Sequence, residues 1–116
     1  MDAASADGYG HRGLKTWQRA DEFAHELYRA LKKQQGIPPW LVSQAGRAAL
    51  SVPANIVEGY ARGPVREYLH FLEIARGSLA EAEYYVEFRT AEGLLEAAST
   101  QRLSALASET TRLLNA

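Results

Sequence analysis

The chain has 116 residues, a length that suits one domain able to bury roughly two-thirds of its unfolded surface. It has no cysteine, which excludes disulfides and thiolate metal sites. Thirteen basic against 14 acidic residues give a formal net charge of -1, without the basic excess that draws a protein to nucleic acid or an anionic membrane. No apolar run approaches the ~20 residues of a membrane span. The opening "MDAASADGYGHRG" lacks a basic segment followed by an apolar one, so it does not read as a signal peptide. The expectation is a soluble, cytoplasmic protein, with residues 1–13 a flexible arm and residues 14–116 a single domain.

In chain order, the pattern predicts four helices and no strand. The first runs from about Trp17 to Gln35, with Thr16 as its N-cap and Gly36 beyond its end. Trp17, Ala20, Phe23, Ala24, Leu27, Tyr28 and Leu31 fall on one stripe at helical period. Arg19, Glu22, His25, Glu26, Arg29 and Lys33 fall opposite. "GIPPW" at Gly36–Trp40 reads as a turn, because two prolines cannot continue a helix. The second helix runs from about Leu41 to Ala61, and "RGP" at Arg62–Pro64 breaks it. Pro64 suits the first turn of the third helix, whose stripe is Tyr68, Phe71, Leu72, Ala75, Leu79, Ala82 and Val86, and which Gly93 ends. Ser99 or Thr100 caps a fourth helix with the stripe Leu103, Leu106, Ala107, Thr110, Leu113 and Leu114. Three short connections force neighbours to run antiparallel. The fold class is all-α: an antiparallel up-down-up-down four-helix bundle.

The second helix is the unusual one. Pro53 sits in its middle and is expected to kink it, freeing a carbonyl near Ala49 that Ser51, Asn55 or a water would meet. Leu41, Ala45, Ala49, Val52 and Ile56 form one apolar stripe; Leu50, Val57 and Ala61 form another. A helix apolar on two sides is buried on two sides, and a bundle of this size offers only one such side. The spare stripe is therefore read as half of a subunit interface. The third helix supplies the other half in an off-core set: His70, Ile74, Gly77, Ser78, Tyr85 and Phe88. Two different patches joined head-to-tail close into a ring if the rotation allows. Small residues (Ala48, Ala49, Ser51, Ala54, Gly59) let another helix come close. Between the apolar stripes, Arg47, Ser51, Asn55 and Glu58 align as an expected polar hydrogen-bond network.

"LKTWQRA" at Leu14–Ala20, "SQAGRAALSVPANIVEGYAR" at Ser43–Arg62 and "FLEIARGSLAEAE" at Phe71–Glu83 resemble the four-helix bundle protein family encoded in intervening sequences of bacterial 23S ribosomal RNA genes. The likeness covers nearly the whole chain after Leu14. Gly46 stands where the family usually has a second arginine, and the first turn is shorter than usual. The resemblance implies an antiparallel bundle assembled into a ring, typically a pentamer, with no established enzyme activity and no cofactor. A related branch, the accessory protein of diversity-generating retroelements, engages nucleic acid through a strongly basic surface that this chain lacks.

Two patterns bear on chemistry. Glu22-Phe-Ala-His25 and Glu67-Tyr-Leu-His70 are Glu-x-x-His motifs on two helices, with Glu58 and Glu109 on the others, the inventory of a di-iron carboxylate site. Their phase is wrong, because Glu22 and His25 lie opposite the apolar stripe and Glu67 and His70 lie off theirs, whereas a metal needs ligands converging inside. No metal site and no catalytic set is therefore expected. Arg47, Arg62, Arg66 and Arg76 form a local basic group, the candidate contact set for a nucleic-acid reading, with Glu58, Glu67 and Glu73 near enough in sequence to compete for it. Glu81, Glu83, Glu87, Glu92 and Glu96 make an acidic face downstream. The reading favoured by the residues is a non-enzymatic, self-assembling protein; the alternative is a nucleic-acid-associated accessory protein.

Overall fold

The structure is a computed structural model that describes residues 10–116. After a 3-10 turn at Gly10–Gly13 come four helices: α1 (Lys15–Lys33), α2 (Pro39–Arg62), α3 (Val65–Ala91) and α4 (Ala97–Asn115). No strand occurs among the described residues. Contacts that cross between helices give their directions. Arg19 meets Glu109 while Glu26 meets Arg102, so α1 and α4 run oppositely. Ser51 meets Ser78 while Gly59 meets Tyr68 and Phe71, so α2 and α3 do too. Thr90 meets Thr100 while Arg76 meets Asn115, which sets α3 against α4 in the same sense. Each helix touches its two neighbours and not the diagonal one, and α2 with α3 is the most extensive pairing, α3 with α4 the least. This is the antiparallel four-helix bundle expected from the sequence.

The core follows the helical stripes. Ala20, Phe23, Leu27 and Leu31 of α1 pack against Ala45, Ala49, Val52 and Ile56 of α2, Ala75, Leu79, Ala82 and Val86 of α3, and Leu103, Ala107 and Leu114 of α4. Apolar burial of this kind stabilises by about 25 cal/mol per Å² and supplies the main driving force. Tyr28 departs from its expected stripe: it is exposed, with Lys32 Nζ 5.2 Å over its ring. Ala30, not Tyr28, completes the buried face of α1.

Helix boundaries are where the sequence expectations need most correction. Thr16 is not a cap. Leu14 occupies that position, because the 3-10 turn feeds straight into α1 through Leu14 N–H donating to His11 O at 2.9 Å. Nor do Ser99 or Thr100 cap α4. The helix begins three or four residues earlier, at Ala97 after Glu96; Ser99 is buried, and the Thr100 hydroxyl donates back to Glu96 O at 3.1 Å. Pro39 is the first residue of α2, a position where a missing N–H costs nothing, so the turn is shorter than "GIPPW" suggested. Of the residues expected to form a flexible arm, 1–9 lie outside the described residues. Gly10–Gly13 is a formed turn, with Gly10 against the Tyr60 ring and His11 edge-on to Trp17 at 4.9 Å. Pro53 is buried inside a helix assigned continuously from Pro39 to Arg62.

Candidate interaction surfaces

The α2–α3 seam holds the polar residues that interrupt α2. Asn55 Nδ2 donates to Ser51 Oγ at 2.9 Å and to Ser51 O at 2.8 Å. Ser51 Oγ in turn shares a hydrogen bond with Ser78 Oγ at 2.8 Å across the seam. Because Ser51 Oγ accepts from Asn55, its own proton is free to be donated to Ser78. The expected network of Arg47, Ser51, Asn55 and Glu58 is therefore only half assembled. Arg47 reaches back to Ser43 Oγ at 3.4 Å, and Glu58 is held by Arg62 at 2.8 Å. Neither joins the serines, since both point to the exposed side of α2 while Ser51 and Asn55 lean toward α3. The Asn55 side chain bonds Ser51 and not the carbonyl of Ala49 that Pro53 leaves without its usual donor. Ser78, expected at a subunit interface, spends its hydroxyl inside the chain.

One turn further along, the same seam closes completely. A Cβ placed on Gly59 would lie 2.7 Å from the Cβ of Phe71 and 3.3 Å from the Cα of Tyr68, so only glycine lets the two helices come this close. Arg62 rests over the Phe71 ring at 5.0 Å. Its pKa is raised, first by the hydrogen bond it donates to Glu58 and then by that carboxylate's charge.

Two apolar patches remain in the open. On α2, Leu50 is 63% exposed and Ala61 is exposed, while Val57 is half-buried. Leu50 borders a groove of about 460 Å³ between α1 and α2, with Tyr28, Leu31 and Val42 along it. Gly46 contributes to the same groove and has open space where a side chain would be. On α3, Ile74 and Phe88 are 39% and 38% exposed, and Gly77 and His70 are exposed too. Tyr85 is half-buried, its hydroxyl donating to Glu81 at 3.1 Å; that hydrogen bond is the first cause of its raised pKa. Tyr84, which the sequence reading left out of the patch, lies 58% exposed with its ring 6.4 Å from Phe88. Its position off both stripes gave no signal from period alone.

The arginines separate into two kinds. Arg62 is shared by Glu58 and Glu67, and Arg76 is held by Asn115 at 2.9 Å and Glu73 at 3.6 Å. Arg66 has no ion pair among the described residues and lines a groove of about 440 Å³ with His70 and Arg76. Arg47 lies on the far side of the bundle's length from Arg66, so the four do not form one surface.

The Glu-x-x-His motifs stay apart. Glu22 pairs with Arg19, and His25 lies 3.4 Å from Asp21 on the outside of α1. Glu67 faces Arg62 and His70 packs edge-on to Phe71, while Glu109 faces Arg19. Among the described residues no group of three or more His, Cys, Asp or Glu side chains converges as metal ligands. No described helix is long and apolar enough to cross a membrane.

The weakly packed α3–α4 seam has a cleft of about 310 Å³ floored by Phe23, Val86, Leu103 and Ala107. Glu83 lies on its edge, and burial, then the neighbouring Glu87 charge, raises its pKa. In the last turn of α3 the sequence reading missed the burial of Arg89. It continues the Ala75–Val86 stripe and is fully buried, and burial lowers its pKa.

Comparison with known proteins agrees with this architecture. A crystal structure of a protein of unknown function from the S23 ribosomal protein family of Bacteroides thetaiotaomicron VPI-5482 superposes with a TM-score of 0.75 at 24% identity, covering 85% of this chain and 94% of that one. Comparison with curated proteins gives no match. The family model described as 23S rRNA-intervening sequence protein matches residues 12–116, which takes in all four helices. The chain belongs to the 23S rRNA-intervening sequence protein family.

Proposed function

We propose that this protein is a non-catalytic, cytoplasmic building block that closes with copies of itself into a ring, five being the number the family likeness favours. The observation that carries this is the pair of unlike apolar patches. One lies on α2 at Leu50 beside the α1–α2 groove; the other lies on α3 at Ile74, Tyr84 and Phe88. They occupy different helices, so pairing one with the other is head-to-tail, the arrangement that generates rings. A symmetric dimer would cover each patch only with itself. The ion pairs support the non-catalytic part, since Glu22, Glu26, Glu58, Glu67, Glu73 and Glu109 are each engaged by an arginine.

Sedimentation equilibrium at micromolar concentration tests the reading. The expected mass is about five times the 12.8 kDa of one chain. Leu50→Glu or Ile74→Glu places a charge in a contact that must be dry, and is expected to release single chains. A monomer mass for the unaltered protein overturns the proposal, and a dimer mass overturns the ring.

A second reading rests on the groove of Arg66, His70, Glu73 and Arg76, where Arg66, with no ion pair among the described residues, is available to phosphates. It makes the protein an accessory to structured RNA or duplex DNA. Gel-shift titration decides it: binding at about 0.15 M salt that falls steeply as salt rises, and that Arg66→Ala weakens, supports this use. The acidic face of Glu81, Glu83, Glu87, Glu92 and Glu96, with only Arg89 among them, opposes it.

A further inference from the structure

The cleft of about 310 Å³ between α3 and α4 reaches Phe23 of α1 at its base. Val86, Leu103 and Ala107 complete an apolar floor that belongs to the core. Thr90 and Thr100, their Oγ1 atoms 2.9 Å apart, line the end nearer the α3–α4 connection. Small-molecule sites span roughly 300–1,000 Å³ and share this design, an apolar lining with a few polar groups that orient the guest. The cleft has the size for a small guest and no larger one.

Its charged groups are two carboxylates. Glu83 and Glu87 stand one helical turn apart on α3 and both line the cleft, Glu83 half-buried and Glu87 exposed. Neither has an ion pair among the described residues, and the bases on the surrounding helices are committed elsewhere. Along the facing stretch of α4 the one basic residue is Arg102, which turns away to Glu26 of α1 at 3.1 Å. On α1, Arg19 is shared by Glu22 and Glu109. On α3, Arg89 is enclosed in the protein and bonds neither carboxylate. The Glu83 pKa is raised, by burial first and by the Glu87 charge second, the direction expected of a carboxylate pair short of a counter-charge.

A bare metal ion does not suit this place. It needs several ligand atoms, the floor supplies none, and no three ligating side chains converge among the described residues. A guest that is cationic at one end and apolar at the other meets both rim and floor. We infer that the cleft binds a small organic ammonium ion, its nitrogen held at Glu83 and Glu87 and its apolar part laid over Phe23, Val86 and Leu103. Charge complementarity selects this occupant: an ammonium offers three N–H donors, and its hydrogen bonds to carboxylates are charge-assisted. The apolar part adds the gain of taking the floor out of water. The site does not depend on assembly, and it lies at the other end of the α3–α4 seam from the Arg66 groove.

Amide NMR of the full chain tests it, with benzylammonium chloride as the probe and benzyl alcohol and sodium chloride as controls at matched ionic strength. Benzylammonium is expected to shift the amides of 83–91 and 100–107 saturably in the millimolar range. Benzyl alcohol keeps the phenyl group and lacks the charge, and is expected to bind at least about tenfold more weakly. Glu83→Gln keeps the shape of the rim and removes a charge that burial disfavours, so the variant is expected to fold and to bind benzylammonium about tenfold more weakly. Glu81→Gln removes the same charge from an exposed position outside the cleft, and is expected to bind as the unaltered chain does. Equal binding of alcohol and amine, the same shifts with sodium chloride, equal weakening by the two glutamine variants, shifts confined to other seams, or no saturable shift at all each overturn the inference.

Discussion

Two seams of the same helix, α3, are built in opposite ways. Toward α2 it packs closely, with Gly59 under Phe71 and a hydrogen bond between Ser51 and Ser78 in place of bulk. Toward α4 it packs loosely, leaving a cleft beside Phe23 that Glu83, Glu87, Thr90 and Thr100 also line. The difference traces to side-chain size. On α2 the seam residues are serine, asparagine, alanine and glycine, which bring backbones together. On α3 and α4 the facing residues include glutamates and threonines, which hold the helices apart or demand solvent. Close packing is brittle to added volume; loose packing tolerates it.

The largest effect is expected at the tight seam. Gly59→Val is expected to cost about 3 kcal/mol in denaturant unfolding, because both new methyls meet Phe71 and Tyr68; Gly59→Ala keeps part of a helix-propensity gain and is expected to cost about 1–2 kcal/mol. A neutral Gly59→Val would mean the helices separate freely there, and the comparison between seams would fail. Next, Asn55→Leu removes a donor from Ser51 and is expected to cost about 1 kcal/mol. No change in melting temperature for that variant would mark Asn55 as merely solvated.

At Gly77 the expected sign reverses. It sits in the exposed face of α3 with nothing within 4 Å of an added Cβ, so Gly77→Ala is expected to stabilise a single chain by about 0.5–1 kcal/mol. If the ring reading holds, the same substitution is expected to weaken assembly, which sedimentation would register. The smallest effect belongs to the loose seam and depends on pH. The folded-state pKa of Glu83 is raised above its ordinary 4.5, so its ionisation opposes folding. Its contribution is fully favourable below the ordinary value and is lost as pH rises through the raised one. Glu83→Gln is expected to flatten that part of the stability profile between acid and neutral pH, and to leave the melting temperature at pH 7 slightly higher. An unchanged profile would show that the cleft edge is fully hydrated.

The four helices were legible because period alone separates Ala75, Leu79, Ala82 and Val86 from the residues around them. Their starts were less so. Thr16, Ser99 and Thr100 have the right chemistry for caps, yet all four helices begin without a side-chain cap, because the incoming connection and not a hydroxyl fixes where each starts. The polar cluster was half legible: Ser51 and Asn55 share a face of α2 by spacing, but Ser78 is 27 residues from Ser51 and only packing brings them together. Arg47 and Glu58 share that stripe by spacing and still point outward, because a stripe is wider than the line of contact it serves.

Composition and period determined that this chain forms antiparallel helices, which stripes enter the core, and that α2 carries more apolar surface than one bundle can cover, since those properties are local and repeat every three to four residues. The tertiary structure decided the rest: that Gly59 and not Gly77 marks the close approach, that Ser51 meets Ser78, and that Arg89 is shut inside. Each depends on how near two distant segments come, and that distance is set by the sizes of side chains on both, which no single helix's pattern contains.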